Sequence, residues 1–524
     1  MCHTRSATRD LPMFLTARRL FATILFFALF VMAAREIADP DFWWHLRTGQ
    51  FIVETRTIPH ADIFSFTNAG RPWVTHEWLS EVLMYALYAL GSFPALILAF
   101  AAVIALTFAC VYARCPGRPY VAAFALLLAA LAAAPTWGAR PQMFSLLLTS
   151  IFLYVLDKRR NWSGTLPPLM LLWVNLHSGY ALGLVIIAVF LFGEIISDIQ
   201  SRTILRPFAK LRAGFCSGQA PHASRSTSPL LPRAPAPLRA LAVVFILSFA
   251  AVLLNPNGAT MFVYPFETLT SPTMQAYIQE WFSPDFHQVE FQPFAWLLLG
   301  TLAALAFAGK RVSLTQTILL AGFGYAALRS ARNIPIFAII AAPVLAEQLW
   351  RLVEARLAST IFVTNKRMTR GMAILNWVVL LIIVAAGAAR VAMVAANQNA
   401  VERAKYPAAA VDFLQARRGE VTSPLMYNAY GWGGYLIWRL YPETRVFIDG
   451  RADVYGDAFI ENVYLKAYRG GIDWRAPLDQ HNVRVVLVEP GAPLAVQLAR
   501  DAAWKKAYED GQAVIFDRQQ VPGK

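Results

Sequence analysis

The feature that most constrains this chain is a seven-residue polar and aromatic motif at the edge of its first apolar segment. Residues 39–45 read Asp-Pro-Asp-Phe-Trp-Trp-His and directly follow an apolar stretch at 20–36. Two carboxylates, two indoles and an imidazole therefore lie where a membrane-spanning helix would meet water. Ionisable groups at that boundary are costly to place and usually have a function. We expect the chemistry of the chain on the side of the membrane where this motif emerges.

The composition predicts a polytopic α-helical membrane protein. Of the 524 residues, 57% are hydrophobic and 15% are charged, whereas soluble proteins average about 25% charged residues. A helical span needs about 20 mainly apolar residues, so the sequence predicts about 11 transmembrane helices. They lie near residues 20–36, 92–112, 119–136, 142–156, 164–176, 179–197, 240–254, 293–309, 312–328, 334–350 and 372–394.

The distribution of basic residues predicts the orientation of these helices. Lys and Arg are frequent in the N-terminal tail and at 198–239, whereas the loop at 255–292 contains neither. Because cytoplasmic loops are enriched in Lys and Arg, we expect an N-in, C-out membrane protein. Cleavage of the first apolar segment as a signal peptide is the alternative. The net charge of +15 then reflects topology, and we expect no nucleic-acid partner.

The same reasoning divides the chain into three parts. Residues 1–19 form a cytoplasmic N-terminus, 20–394 a transmembrane domain, and 395–524 an extracytoplasmic domain. The transmembrane part contains a long outer loop and a Pro- and Ser-rich cytoplasmic loop whose composition predicts disorder. These loops are residues 37–91 and 198–239. The last part alternates helix and strand patterns and predicts a small α/β domain. Its helices are predicted at 407–417 and 493–509, and its strands at 445–449, 483–489 and 513–516.

Ionisable and amide residues gather in the predicted outer loops, in a pattern typical of phosphate chemistry. Arginine binds phosphate bidentately, and a carboxylate can accept a proton from an attacking hydroxyl or hold a divalent cation. The catalytic candidates are Asp39, Asp41, His45 and Glu77. The candidates for binding a donor phosphate are Arg140, Arg329 and Arg332. Further candidates on the same face are His76, Glu81, Asn175, His177 and Glu280.

Each of these residue types also has a structural role that the sequence leaves open. An Asp before a proline, as at Asp39, often caps the next segment, and His177 can close a tight turn between two spans. Arg329 and Arg332 can reach the lipid headgroups without binding a substrate. The loop tryptophans suit either an interfacial belt or a sugar-binding surface. Asp-Gly at 449–450 follows a predicted strand and is typical of a turn.

The architecture resembles the GT-C superfamily of polytopic glycosyltransferases. The similarity rests on an N-in first span, an outer loop that opens with the acidic motif Asp39-Pro40-Asp41, many further spans and a C-terminal α/β domain. A group of bacterial membrane proteins shares the Asp-Pro-Asp-x-Trp-Trp-His motif, Trp173-Val-Asn-Leu-His177 and the stretches at 430–435 and 447–451. The C-terminal part contains no Trp-Trp-Asp-type signature.

The resemblance implies a function and a location in the bacterial inner (cytoplasmic) membrane. In the superfamily the first-loop Asp is a base or a metal-linked carboxylate, a role that passes here to Asp39 or Asp41. It implies a lipid-linked sugar donor of the polyprenyl-phosphate type and an envelope glycan, lipid or protein as acceptor. Because some members bind a divalent cation, it also implies Mg²⁺ or Mn²⁺ at Asp39 and Asp41. A transporter or flippase for a lipid-linked or anionic solute and a non-catalytic membrane scaffold are the alternatives.

Overall fold

The computed structural model describes residues 15–214, 236–309, 311–357, 369–417 and 425–519. It is mainly helical, with one small sheet near the C-terminus. The α-helices before the sheet are α1 (Ala17–Ala33), α2 (Phe42–Thr55), α3 (Trp78–Arg114), α4 (Pro119–Ala133), α5 (Gln142–Lys158), α6 (Leu166–Leu176), α7 (Tyr180–Gly214), α8 (Ala236–Val252), α9 (Tyr264–Thr270), α10 (Pro272–Tyr277), α11 (Gln292–Ala308), α12 (Leu314–Arg329), α13 (Ile334–Leu357), α14 (Arg370–Lys405) and α15 (Ala408–Ala416). They are followed by β1 (Met426–Asn428), α16 (Gly433–Leu440), α17 (Ala452–Phe459), α18 (Leu465–Tyr468), α19 (Arg475–Gln480), β2 (Val485–Val488), α20 (Pro493–Arg500), β3 (Trp504–Glu509) and β4 (Val514–Arg518).

Every predicted apolar segment coincides with a helix. Six helical segments of the described residues are long and apolar enough to cross a membrane. They are Trp78–Arg114, Pro119–Thr136, Tyr180–Gln200, Val289–Ala308, Ala331–Glu354 and Arg370–Lys405. Others are shorter, such as α6 with 11 residues, so the number of spans and their orientation stay predictions. Helix α7 continues to Gly214, into the loop predicted to be disordered, and residues 215–235 lie outside the described residues.

The loop that follows α1 carries two helical segments. Helix α2 starts directly after the acidic motif and packs against α3 and α16. Helix α3 is broken at Gly91 and at Ser92, whose φ of 55° is outside the helical region. The part of α3 before this break is therefore a separate segment that does not run straight into the apolar part.

The C-terminal part contains a four-stranded sheet in the order β1-β2-β4-β3. Strands β1 and β2 are parallel, with Met426 opposite Val485, and β4 is antiparallel to both of its neighbours. The prediction of a helix over 493–509 is correct only as far as Arg500. Residues 504–509 form β3 instead, because pairing with the buried strand β4 outweighs the helix propensity of their Ala and Lys residues.

Trp43 and Trp73 of the first loop lie in the hydrophobic core, whereas Trp44 lines the polar cavity described below. Trp43 is fully buried, and its ring makes edge contacts with the rings of Tyr406 and Tyr435 at 5.4 and 5.1 Å. Trp73 is also buried. Both belong to the core because α16 covers α2, so the first loop and the C-terminal domain share one hydrophobic interior.

A buried ion network joins the first loop to the C-terminal domain. The guanidinium of Arg451 lies 2.8 Å from Asp62 of the loop and 2.7 Å from Asp449. Its face covers the rings of Trp73 and Phe64 at 4.4 and 5.1 Å. The side chains of these three charged residues are at most 1% exposed. Asp-Gly-Arg at 449–451, which the sequence assigns to a turn, is thus an anchor between two distant parts of the chain.

Replacing Arg451 is expected to destabilise this junction. Arg451→Gln leaves two buried carboxylates without their counter-charge, and removing one partner of a buried pair costs about 3–5 kcal/mol. The thermal unfolding midpoint of the purified protein in detergent, followed by tryptophan fluorescence, should fall clearly. Arg500→Gln in the same domain is the control, because Arg500 is exposed. Equal midpoints for the two variants would contradict the role assigned to Arg451.

Candidate active site

A polar cavity of about 160 Å³ lies between the first loop, α5, the connections around α9 and α12–α13, and the C-terminal domain. It brings together residues that are far apart in the sequence. The predicted site residues in its wall are Asp41, His45, His76, Glu77, Arg140, His177, Glu280 and Arg332. Asp39 and Glu81 lie directly behind this wall, in contact with Arg140 and His45.

Arg140 is the electrostatic centre of one side of the cavity. Its three guanidinium nitrogens each face a different carboxylate: Nε lies 2.8 Å from Asp39, Nη2 3.2 Å from Asp41 and Nη1 3.0 Å from Glu280. The sequence assigned Arg140 to a donor phosphate. Binding a phosphate there would require at least one of these ion pairs to open.

The two carboxylates of the acidic motif have different surroundings. Asp39 Oδ1 accepts the backbone N–H of Asp41 at 2.8 Å, so Asp39 closes the turn at Pro40 while its other oxygen faces Arg140. The Asp41 side chain is 28% exposed and lines the cavity. Burial and the nearby charge of Asp39 raise the pKa of Asp41 to about 7, although Arg140 opposes this shift. Asp41 therefore changes its protonation state near neutral pH.

A glycine of the C-terminal domain fixes the position of Asp41. Asp41 Oδ1 accepts the indole N–H of Trp44 at 3.2 Å. On its other side it lies so close to Gly450 that a Cβ there would be 1.9 Å from Oδ1. Only glycine leaves room for this carboxylate, and the acidic motif and the Gly450 segment therefore fit together.

Three imidazoles surround Glu77 on the opposite side of the cavity. The Nε2 atoms of His45, His76 and His177 lie 3.4, 3.1 and 3.4 Å from the Glu77 carboxylate. Against the effect of burial, His76 and His177 hold the pKa of Glu77 well below its usual range. Glu77 is therefore ionised at every physiological pH.

The hydrogen bonds of the imidazoles show which of them carries the positive charge. His177 Nδ1 accepts the backbone N–H of Gly179 at 2.8 Å, so its proton is on Nε2, facing Glu77. Burial lowers the pKa of His177 to about 4 and that of His45 to about 3, so both are neutral. Burial also lowers the pKa of His76, but the charge and hydrogen bond of Glu77 reverse this and raise it. His76 Nδ1 also lies 3.1 Å from the Val74 carbonyl oxygen, so both of its ring nitrogens face acceptors, as in an ion pair with Glu77.

The other predicted residues differ in their distance from the cavity. Glu81 is buried, 3.2 Å from His45 Nδ1, and Asn175 Oδ1 accepts the indole N–H of Trp78 at 2.8 Å. Arg332 lies over the ring of Trp281 at 4.4 Å. In the part of the chain that the structure describes, its guanidinium makes neither a hydrogen bond nor an ion pair. Arg329 is exposed and does not line the cavity.

The cavity wall also contains Asp453, Tyr264 and Trp281, which were not among the predicted site residues. Asp453 is exposed in its wall and accepts the Tyr264 hydroxyl at 3.2 Å, and the ring of Tyr264 lies 4.4 Å from that of His76. The ring of Trp281 packs against the guanidinium of Arg332. Asp453 lies two residues after the 447–451 stretch, which this chain shares with a group of bacterial membrane proteins. Its closeness to that stretch was the one sequence signal that could have identified it.

The carboxylates of the acidic motif do not fit the divalent cation that the resemblance implies. Among residues 15–214 and the other described ranges, no group of three or more His, Cys, Asp or Glu side chains is arranged to hold a metal ion. The physical reason lies in Arg140, whose guanidinium already lies between Asp39, Asp41 and Glu280. A cation bound by these oxygens would have to displace it or lie beside its positive charge.

Comparison with known proteins identifies the fold. No family model matches the chain, and no curated protein matches it in sequence. The structure is similar to the apo oligosaccharyltransferase of Archaeoglobus fulgidus, with a TM-score of 0.52 and 11% identity over 97% of this chain and 75% of that one. It is equally similar to AglB of the same organism in complex with an inhibitory peptide and a dolichol-phosphate, with a TM-score of 0.52 and 11% identity over 96% and 75% of the two chains. The predicted resemblance to the GT-C superfamily is thus confirmed for the fold.

The close approach of Gly450 and Asp41 predicts a measurable coupling. Gly450→Ala is expected to lower stability by about 1–3 kcal/mol, because the added methyl group must push Asp41 Oδ1 away from Trp44. In an Asp41→Ala background the same substitution should cost much less, since the clashing carboxylate is gone. Thermal unfolding of the four proteins of this cycle measures the coupling.

Gly491→Ala is the matched control for this cycle, since a Cβ at Gly491 meets no atom within 4 Å. It should change the unfolding midpoint little in either background. Additive effects of Gly450→Ala and Asp41→Ala would contradict the contact.

Proposed function

We propose that the protein is a membrane glycosyltransferase that moves a sugar from a polyprenyl-phosphate-type lipid donor to a cell-envelope acceptor. The reaction would take place at the outer face of the bacterial inner membrane. One observation carries the proposal: two side chains line the same cavity of a GT-C fold, the titratable carboxylate of Asp41 and the guanidinium of Arg332, which has no ion-pair partner among the described residues. These are the two charges that transfer from a phosphate-linked donor requires.

The proposed step uses each of these groups at a defined atom. The oxygen of an acceptor hydroxyl attacks the anomeric carbon of the donor sugar, and the bond from that carbon to the phosphate oxygen breaks. The bonding electron pair leaves with the phosphate, whose growing negative charge Arg332 stabilises. The hydroxyl proton passes to the Asp41 carboxylate, which acts as general base. A base with a pKa near 7 is well suited to this transfer at neutral pH.

The remaining residues hold reactants and charges in place. Arg140 contacts Asp41 directly and is itself held by Asp39 and Glu280, so that the base does not turn away from the cavity. His45 and Glu77 are proposed to orient the acceptor, since Glu77 stays ionised and can accept a hydrogen bond from a second hydroxyl. Arg329 is not required by this geometry, because it lies outside the cavity.

The structural relative supports the donor class. AglB has been observed with a dolichol-phosphate and a peptide, that is, with a polyprenyl phosphate and an inhibitor on one fold. We transfer only the donor class to this chain, and the acceptor is taken to be an envelope glycan, lipid or protein.

The pKa of Asp41 predicts the pH dependence of the reaction. Since the base must be ionised, kcat/KM should fall about tenfold per pH unit below pH 7. Asp39→Asn removes a charge that helps to raise the pKa of Asp41. It should therefore shift the acidic limb of the pH–rate profile to lower pH. Asp41→Asn should reduce the rate about 10²–10⁴-fold at all pH values. The measurement is a pH–rate profile of the reconstituted protein with its lipid donor.

Asp473→Asn is the control for both Asp variants, because the Asp473 side chain is 66% exposed and pairs only with Lys466 among the described residues. Its profile should match the wild type. An unchanged limb in Asp39→Asn would show that another group controls the pH dependence.

The substrates can be identified by mass spectrometry of lipid-linked sugars and envelope glycans. The strains to compare are the wild type, a deletion strain and strains that carry Asp41→Asn or Asp473→Asn. The deletion and Asp41→Asn strains should accumulate one lipid-linked sugar and lose one glycan, whereas Asp473→Asn should match the wild type. If Asp41→Asn leaves both pools unchanged while the protein stays in the membrane, the transfer mechanism is wrong. Solute flux in proteoliposomes without covalent change would favour a transporter instead.

A further inference from the structure

A second cavity, of about 250 Å³, lies between α10 and the C-terminal domain, next to the proposed active site. The two cavities share the side chains of Met274, Ile278 and Ala452 in their walls. The two cavities are therefore adjacent, separated only by these side chains. Pockets for drug-sized ligands measure about 300–1,000 Å³, so the second cavity fits a smaller group, about the size of one monosaccharide.

The position of this cavity in the sheet is typical of a binding site. Strands β1 and β2 are parallel neighbours, and ligands of α/β sheets bind at the carboxyl ends of such strands. Tyr430 and Gly431 follow β1, and Glu489 directly follows β2. All three residues line the cavity. The cavity thus lies at the carboxyl ends of β1 and β2, where the loops that follow these strands can contact a ligand.

Tyrosine rings form much of the cavity wall. The wall contains Tyr277, Tyr430, Tyr464 and Tyr468. The rings of Tyr464 and Tyr468 are stacked with their centroids 5.7 Å apart. Tyr277 is 46% exposed on the side of α10. Flat aromatic faces of this kind suit a ligand with one apolar face, and their hydroxyl groups suit one with polar edges.

One carboxylate supplies the polar end of the cavity. Glu489 Oε2 accepts the hydroxyl of Tyr468 at 3.1 Å. Within the described ranges, the other oxygen of Glu489 has no hydrogen-bond partner. It can therefore accept a hydrogen bond from a bound hydroxyl group. An alkyl chain in this place would shield that second oxygen from water without giving it a hydrogen bond, which is costly.

We propose that this tyrosine-lined cavity binds a neutral pyranose ring of the acceptor, which makes the acceptor a glycan. The inference rests on the proposed function and narrows its acceptor class. The C–H face of the ring packs on the tyrosines, its hydroxyl edge reaches Glu489, and the shared wall leads the next sugar towards Asp41. A cationic ligand is disfavoured, because Arg469 already places a positive charge on Tyr277, with its guanidinium 5.8 Å from that ring.

Binding of simple sugars to the full chain tests this inference without any donor. The probes are methyl pyranosides of the gluco, galacto, manno and N-acetylglucosamine series, and saturation-transfer NMR in detergent detects binding. We expect the wild type to bind at least one of them. Glu489→Gln and Tyr277→Ala should weaken that binding about ten- to a hundredfold, the effect of losing one hydrogen bond to a charged group or one aromatic contact. Glu509→Gln, an exposed change in the same domain, should bind as the wild type does.

The outcomes separate this inference from the proposed function. Glycoside binding that is lost in Glu489→Gln but kept in Asp41→Asn supports the glycan site, whether or not transfer is detected. Transfer by the wild type with an unchanged KM for the acceptor in Glu489→Gln and Tyr277→Ala overturns the site and leaves the proposed function intact. Binding of tetramethylammonium but of no glycoside also overturns it, because the cavity would then be a cation site.

Discussion

The candidate site depends on one buried interaction, the ion network of Arg451 with Asp62 and Asp449. These charges are almost completely removed from water, and an unpaired charge in such a place would be very unfavourable. The network therefore forms only when the first loop and the C-terminal domain are in contact. Because residues of both parts line the active-site cavity, the same contact determines whether that cavity exists.

The second constraint is how the charges of the cavity are distributed. Arg140 is neutralised by three carboxylates, whereas Arg332 rests on an aromatic ring, where a cation–π contact stabilises it without cancelling its charge. The cavity wall thus divides its charges between a guanidinium that lies on an aromatic ring and the titratable Asp41. This division suits the reaction proposed above, in which an anionic phosphate leaves and the attacking hydroxyl must lose a proton.

Much of the fold could be predicted from the sequence, whereas the roles of individual site residues could not. Apolar segments of helical length are a local signal, and each of them is a helix. The choice between Asp39 and Asp41 depends on Gly450, about four hundred residues further along, because its missing Cβ admits the Asp41 carboxylate. No local pattern contains that information. The strand at 504–509 was missed for the same reason, since its conformation is decided by pairing with β4.

The chain segment around Gly450 contacts residues of both cavities. The hydroxyl of Tyr430, in the wall of the tyrosine-lined cavity, donates to the Gly450 carbonyl at 3.3 Å, and Gly450 in turn packs against the base. A ring that packs on Tyr430 would press on the same backbone that positions Asp41. Under the two proposals made above, such a contact is a direct route by which a bound glycan would orient Asp41. Recognition of the acceptor and activation of its hydroxyl would then depend on one short segment of the chain.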